Sequence, residues 1–383
     1  MVQISRMDDA LIEVPRGLTN VAVVDTAISD VHGREGYYQY REHSATALAR
    51  GATLEQVWFL FLHGRLPTAD EEAAFVAELA ALRAEVDVEA LVEQLAGGSA
   101  RLDAVHALKA AWPLVASGRG MRPVYDLDEQ ERRRDALLLT AMVPGFLATL
   151  SRRQRRLPPL ASPKDHGTVA GYLTQVTGAE PTPEAEHALT AYLIAVMDHG
   201  LNASTFTARV ITSTGADVAS ALTGALGSLS GPLHGGAPSR VLDSLDQIPS
   251  PEAIEPWISA ELAAGRRLMG FGHAVYRTAD PRSQLLRAEA QALGGPRVDL
   301  ALRFEATAER LLEAAKPGRG LHANVEFYAS IVMERVGIAR ELFTPTFALA
   351  RAIGWSAHIL EQAADSKIFR PAARYIGPPV SDD

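Results

Sequence analysis

Four stretches of the chain break otherwise helical text with residues that can move protons or hold anions. They are Asp198-His199-Gly200-Leu201-Asn202-Ala203-Ser204-Thr205-Phe206, Gly231-Pro232-Leu233-His234-Gly235-Gly236-Ala237, Gly270-Phe271-Gly272-His273-Ala274-Val275-Tyr276-Arg277 followed by Asp280-Pro281-Arg282, and Asn324-Val325-Glu326-Phe327-Tyr328. His234 follows a proline by two residues and precedes two glycines. Glycine tolerates close backbone approach and unusual dihedrals, so a ligand can come near this imidazole. His273 closes a Gly-x-Gly-His loop able to present backbone N–H groups. Either histidine, taken alone, reads more readily as a hydrogen-bonded turn residue; the two together, each beside glycine, balance the readings. A metal site is poorly supported: neither His-x-x-x-His nor His-Glu-x-x-His occurs, and there is no cysteine. A nucleotide reading fails too. Gly270-x-Gly272 lacks the third glycine and follows no strand, and no Walker A pattern exists.

These stretches must be positioned by helices. Leu54, Val57, Trp58, Leu60 and Phe61 share one apolar face, which Gly64 and Pro67 end. Helix restarts over 68–83 with Asp70, Glu71 and Glu72 in its first turn, where acids suit the helix dipole. Thr182-Pro183-Glu184 supplies an N-cap, a proline at the first helical position and an acid, ahead of a stripe at Ala185, Leu189, Leu193 and Val196. Another long helix lies within 341–363, beginning near Thr344-Pro345. Only 21–29 and 36–40 read as short β runs, flanking the turn His32-Gly33-Arg34-Glu35-Gly36. The prediction is an all-α chain with a small N-terminal β-hairpin, and no strand–helix alternation that a parallel sheet would need. Residues 155–164 and 230–238 read as linkers.

Composition narrows the function classes. The 383 residues, 47% hydrophobic, suffice for two or three domain-sized units. The formal net charge of −9 disfavours nucleic-acid binding, so any anionic ligand needs a local basic cluster. The N-terminal residues do not read as a secretory signal, and no run of about 18 apolar residues suggests a membrane span. A cytoplasmic protein is expected.

In order and spacing, the four stretches resemble those of the citrate synthase family, whose patterns run close to DHxxNAST, GPLHGGA, GFGHxVY…DPR and PNVD. The resemblance extends to Gly17-Leu18, 26–30 and Leu62-His63-Gly64 near the start, and to Phe343-Thr344-Pro345, Ala350-Arg351, Gly354-Trp355, 358–361 and 370–375 near the end. It implies an all-helical, two-domain fold. A large domain of residues 1–235 plus 338–383 would be closed over by a small one of residues 236–337. It implies an acyltransferase that condenses acetyl-CoA with oxaloacetate and water to give citrate and CoA. No cofactor is needed, since the CoA thioester is itself a substrate. His234 aligns with the donor to the thioester oxygen, Glu326 with the carboxylate that removes the methyl proton, and His273 with the histidine that polarises the keto group. His199, Arg282, Arg351 and Arg370 match oxaloacetate contacts. The family's counterpart of Arg370 crosses from a partner subunit, so a homodimer is implied. Arg277 and Arg319 occupy positions of basic CoA contacts, with Gly270 and Gly272 beside them; Arg266 and Arg267 read equally as a solvated basic face.

The sequence departs from the family at several points. The base position, usually aspartate, is Glu326, whose longer stem displaces the carboxylate by roughly 1–1.5 Å, a change that can cost on the order of 10²-fold in rate. Ala323 replaces a proline, Pro238-Ser239 replaces Asn-Glu, and Glu42-His43-Ser44 replaces Gly-Tyr-Asp. These mark a divergent branch. Two alternatives stand beside citrate synthesis. One is 2-methylcitrate synthesis from propionyl-CoA. The other is a non-catalytic homologue binding CoA or a dicarboxylate, which Glu326 favours and the intact His234, His273 and arginines disfavour.

Overall fold

The computed structural model describes residues 11–97, 102–161, 166–232, 234, 238–273, 275–276, 278–365 and 367–378. Helix dominates, and local sequence signals set its boundaries. Thr53 and Gln56 form a capping box ahead of helix Leu54–His63, which ends at Gly64 in the left-handed region, φ 75°. Thr68 and Glu71 form a second box ahead of Ala69–Ala84. Thr182 accepts from the Ala185 N–H and starts Pro183–Val196. That helix is buried well beyond a single stripe: Ala191, Tyr192, Ile194 and Ala195 are inside along with Leu189 and Leu193, which places it within the core.

The β prediction holds in kind and shifts in position. Strand β1 is Ser29–His32 and β2 is Tyr37–Tyr40, paired antiparallel from Ser29↔Tyr40 to His32↔Tyr37. A third strand, β3 at His43–Ser44, pairs with β2. Residues 21–28 form no strand. Arg41 sits at φ 51°, so the chain turns there, and the pairing ends with the Arg41 N–H donating to the Ile28 carbonyl at 2.8 Å. Tyr38 and Tyr40 point inward, their hydroxyls donating to the carbonyls of Ala195 and Ile194 at 2.9 and 2.8 Å. The turn at 33–36 packs closely on a loop far away in sequence. A Cβ on Gly33 would lie 2.6 Å from the Val275 carbonyl oxygen, and one on Gly36 2.5 Å from Thr278 Oγ1.

The long helix Phe343–Ala364 runs through the middle, packed by Glu129–Ala141, Pro183–Val196, Ala203–Ser213 and Val218–Leu229. Trp58, Trp112 and Trp355 are fully buried and take large apolar rings out of water. Gly354 permits one very close approach. A Cβ there would meet the Met197 carbonyl oxygen at 2.3 Å. Among the later helices, Pro281–Leu293 packs on both Val325–Arg335 and Pro183–Val196, Pro238–Asp246 packs on Val325–Arg335, and Ile254–Ala263 packs on Pro296–Ala315. Among the described residues no helix is long and apolar enough to cross a membrane.

Candidate active site

Six of the residues singled out in the sequence line one cavity of about 280 Å³: His199, His234, His273, Arg282, Glu326 and Arg351. Each is delivered by a different local device. His199 follows Pro183–Val196, where the Asp198 N–H donates to the Tyr40 hydroxyl at 3.2 Å. Asn202 caps Ala203–Ser213, its Oδ1 accepting from the N–H groups of Ser204 and Thr205 at 3.1 Å each. That capped first turn holds His234. The Ser204 N–H donates to His234 Nε2 at 3.3 Å, and the Ser204 hydroxyl lies 2.9 Å away. An N–H can only donate, so Nε2 accepts and the neutral ring carries its proton on Nδ1.

His273 is fixed by the opposite assignment. Its Nδ1 accepts from the N–H groups of Val275 and Tyr276 at 2.9 and 3.1 Å, which leaves the proton on Nε2. The loop carrying it bends through Gly270 and Gly272 at φ 82° and 85°. It is sewn to the segment before Glu326. Asn324 N–H donates to the Gly270 carbonyl (2.8 Å), Gly272 N–H to the His322 carbonyl (2.8 Å), and Asn324 Nδ2 to the Gly272 carbonyl (3.0 Å). Asn324 also caps Val325–Arg335, accepting from the Glu326 N–H at 3.0 Å.

Two buried arginines face these groups. Arg282 pairs with buried Asp280 through Nε at 3.0 Å and Nη2 at 2.9 Å. Burial opposes the Arg282 charge, but Asp280 outweighs it and holds the pKa above the ordinary value. Arg282 Nη2 also stands 3.0 Å from His273 Nε2. Both are donors once the His273 proton lies on Nε2, so an acceptor bound beside the pair, within reach of both, would satisfy them. Arg351 donates through Nε to the Val196 carbonyl at 2.6 Å, while its buried Nη1 has no hydrogen-bond partner. Burial depresses its pKa, and Asp198 offsets that in part. A buried cation with an unsatisfied donor is costly unless an anion joins it.

Burial also sets the protonation of the remaining groups. It pushes Glu326 up from 4.5 to about 7, opposed by Arg282 and aided by Asp280. Burial and Arg351 push His234 down to about 4. Burial and Arg282 push His273 down to about 4, slightly opposed by Asp280. Burial and both arginines hold His199 well below the usual imidazole range; its Nε2 meets the Tyr276 hydroxyl at 2.9 Å. The cavity thus combines neutral imidazole donors, fixed cations and one carboxyl that ionises near neutrality. Such an arrangement can polarise carbonyl oxygens beside carboxylates while a carboxylate takes up a proton.

Other candidates lie elsewhere. Gly270 is buried, and a Cβ there would press on Phe327 and Val241 at 3.0 Å; its backbone serves the loop. Arg319 and Arg370 are exposed, and Arg277 falls outside the described residues. Arg266 is paired with Glu261. The sequence reading passed over Tyr192, Val196, Ala329 and Phe347, which form apolar wall, because their helical spacing signals core. It also gave Ser204 no role, although it fixes the His234 tautomer. A larger cavity, about 580 Å³, lies between Ala69–Ala84, Val143–Gln154 and Thr168–Thr177. None of the candidates lines it, so its size carries no weight against the chemistry of the smaller one. Among the described residues no three His, Asp or Glu side chains gather as a metal site would need.

A mostly helical frame that gathers buried arginines and neutral histidines around a carboxyl group ionising near neutrality suits an enzyme that acts on carboxylated substrates. Comparison with known proteins agrees. Residues 17–372 match the family profile described as citrate synthase, C-terminal domain. The citrate synthase of Haloferax volcanii is 36% identical over 95% of this chain and 96% of its own. The 2-methylcitrate synthase of Mycobacterium tuberculosis is 33% identical over 95% of this chain and 91% of its own. Among solved structures, the Thermoplasma acidophilum citrate synthase in ternary complex with carboxymethyl coenzyme A and oxaloacetate superposes with a TM-score of 0.88, at 29% identity, covering 97% of this chain and 98% of that one. The chain belongs to the citrate synthase family of acyltransferases.

Proposed function

We propose that this chain condenses acetyl-CoA with oxaloacetate and water to give citrate and CoA. The observation that carries the reading is the meeting, on one cavity, of a carboxyl that ionises near pH 7 with two neutral, oppositely tautomeric histidines and two buried arginines. Oxaloacetate's carboxylates sit on Arg282 and Arg351, with His199 beside them. Arginine suits this because its planar donors grip carboxylates in pairs. Glu326 takes a proton from the thioester methyl group. The developing enol oxygen is held by the Nδ1–H of His234, and stabilising that oxygen is the main electrostatic task. The methyl carbon bonds to the keto carbon, whose oxygen takes up negative charge against the Nε2–H of His273. Water then cleaves the thioester and releases CoA as the thiol. The reading calls on no metal.

Two further elements belong to this reading. Arg370 is exposed on a tail that also exposes Ile368, Tyr375 and Ile376, which supports a homodimer in which Arg370 completes the partner's anion site. Residues 236–337 act as the small domain that closes on residues 1–235 and 338–383. The tight fit of Gly33 and Gly36 on Val275 and Thr278 supports such closure. Exposed Arg319 is available to CoA phosphates.

Propionyl-CoA, giving 2-methylcitrate, is the second reading. It is favoured by the Mycobacterium tuberculosis relative, and by small apolar wall at Val196, Val325 and Ala329. The test is release of CoA thiol from each thioester, with and without oxaloacetate. The chain has no cysteine, so a thiol reagent reports CoA alone. Oxaloacetate-dependent release supports the reading, and the ratio of kcat/KM values selects the acyl group, a choice worth ~1–3 kcal/mol per methyl group. No release from either thioester rejects it.

A further inference from the structure

We propose that Asp280 is a positioning residue that locks the anion-receiving Arg282 to the first turn of the helix bearing Glu326, so that substrate grip and proton abstraction share one geometry. This rests on the function proposed above.

Asp280 is the N-cap of Pro281–Leu293, and its side chain does more than cap. Oδ1 accepts from the Arg282 N–H and Nε at 3.0 Å each. Oδ2 accepts from Arg282 Nη2 at 2.9 Å and from the Val325 N–H at 3.1 Å. Val325 is the first residue of Val325–Arg335 and Glu326 is the second. One carboxylate therefore serves the starts of two helices that pack on each other, one presenting the cation and the other the base. First-turn N–H groups have no partner within their own helix, so this bond fills a vacancy the fold must fill. Asp280 is 1% exposed and His273 Nε2 lies 4.0 Å from Oδ2. The carboxylate thus stands behind three of the six cavity groups without lining that cavity itself. Asn324 ties the His273 loop to the base helix from the other side. Asp280 closes the remaining edge, between that helix and Arg282.

The link is electrostatic as well as steric. The groups facing Glu326 are Arg282, Asp280, His199, His234, His273, Arg351 and Tyr192. Asp280 is the carboxylate among them, and its charge opposes that of Arg282. Without it, Arg282 would act on Glu326 unopposed and would favour the ionised base.

Two substitutions separate this role from a merely structural one. Val325→Pro removes the N–H that Oδ2 accepts and leaves the Asp280 charge in place. Proline is tolerated at a first helical position, and Asn324 before it is already extended, φ −95° and ψ 177°. The expected result is a kcat lowered on the order of tenfold or more, with KM for oxaloacetate within about twofold of wild type. Asp280→Asn should instead raise KM for oxaloacetate, lower kcat and move the acidic limb of the kcat/KM profile to lower pH. Two readouts need no turnover: oxaloacetate affinity by calorimetry, and the Glu326 carboxyl titration by ¹³C NMR against Glu326→Gln. If wild type releases no CoA, the condensing reaction fails while these still decide the role of Asp280. Should Asp280→Asn not fold, Val325→Pro decides it. The proposal is overturned by folded Asp280→Asn with wild-type oxaloacetate affinity and Glu326 titration. It is equally overturned by Val325→Pro that raises KM for oxaloacetate as much as it lowers kcat, or changes neither.

Discussion

Gly354→Ala adds one methyl group at the point where the central helix comes closest to the segment carrying His199. The new Cβ would lie 2.3 Å from the Met197 carbonyl oxygen and 3.3 Å from Asp198 Cβ. Interiors are packed too densely to absorb this locally, so helix and segment must part by about 1 Å. Gly354 lies between two residues that depend on the approach. Arg351 donates to the Val196 carbonyl at 2.6 Å, and His358 Nε2 stands 3.4 Å from Asp198 Oδ1. Overpacking of this kind costs about 1–3 kcal/mol of stability. A 1 Å displacement of Arg351 relative to His199 costs on the order of 10²-fold in kcat/KM. The assay is thermal unfolding together with CoA-thiol release and oxaloacetate calorimetry. Gly118→Ala is the control, the same change on a helix with nothing within 4 Å of the added atom. Gly354→Ala with wild-type turnover and wild-type oxaloacetate affinity would refute the reasoning, whatever its melting temperature.

Two further outcomes follow from the charges. The folded protein binds the Glu326 proton more tightly than the unfolded chain, since burial raises this carboxyl from 4.5 to about 7. The stability this group contributes is therefore present at low pH and is lost as pH rises through that window. Glu326→Gln should abolish CoA release at every pH and, at pH 8, unfold above wild type by up to ~3 kcal/mol, the difference closing below pH 4.5. A melting temperature equal to wild type at pH 8 counts against a buried, ionised base. Arg351→Met should destabilise the ligand-free fold, because it leaves the buried Val196 carbonyl without its donor and removes a cation that helps to offset buried Asp198. It should also cost about 2–5 kcal/mol of oxaloacetate affinity. Unchanged affinity by calorimetry would remove Arg351 from the anion site.

What the sequence revealed and what it hid have physical causes. Helix limits were legible where capping chemistry is local, as at Thr53, Thr68 and Thr182. The strand expected over 21–29 is reached only at Ser29, because a strand is defined by its partner, and the chain turns at Arg41 just after Tyr40, the residue paired with Ser29. His199, His234, His273, Arg282, Glu326 and Arg351 were legible as polar interruptions placed by family pattern, and they do share a cavity. Tyr192 and Phe347 were not, because an aromatic on a helix face looks the same whether it meets core or substrate. Asp280 was visible as part of Asp-Pro-Arg, but the Val325 N–H it accepts is 45 residues away, a distance that only folding brings to 3.1 Å. Ser204 was hidden likewise, its partner His234 lying beyond a whole helix pair.

Under the proposed chemistry, one physical cause assigns the roles in the cavity. In water a glutamate is a far weaker base than a histidine, by roughly two pKa units. Leaving water disfavours whichever form is charged, so it raises the carboxyl and lowers the imidazole. Here that reverses the order, with Glu326 at about 7 and His234 and His273 at about 4. Arg282 and Arg351 push the imidazoles further in the same direction. The carboxylate becomes the strongest base in the cavity, while both histidines stay neutral, each with its N–H aimed by the backbone donors that occupy its other nitrogen. A charged imidazole in either place would repel the arginines and compete with them for oxaloacetate. The arginines that fix the substrate thus also keep the histidines in the donor state the carbon–carbon bond-forming step requires.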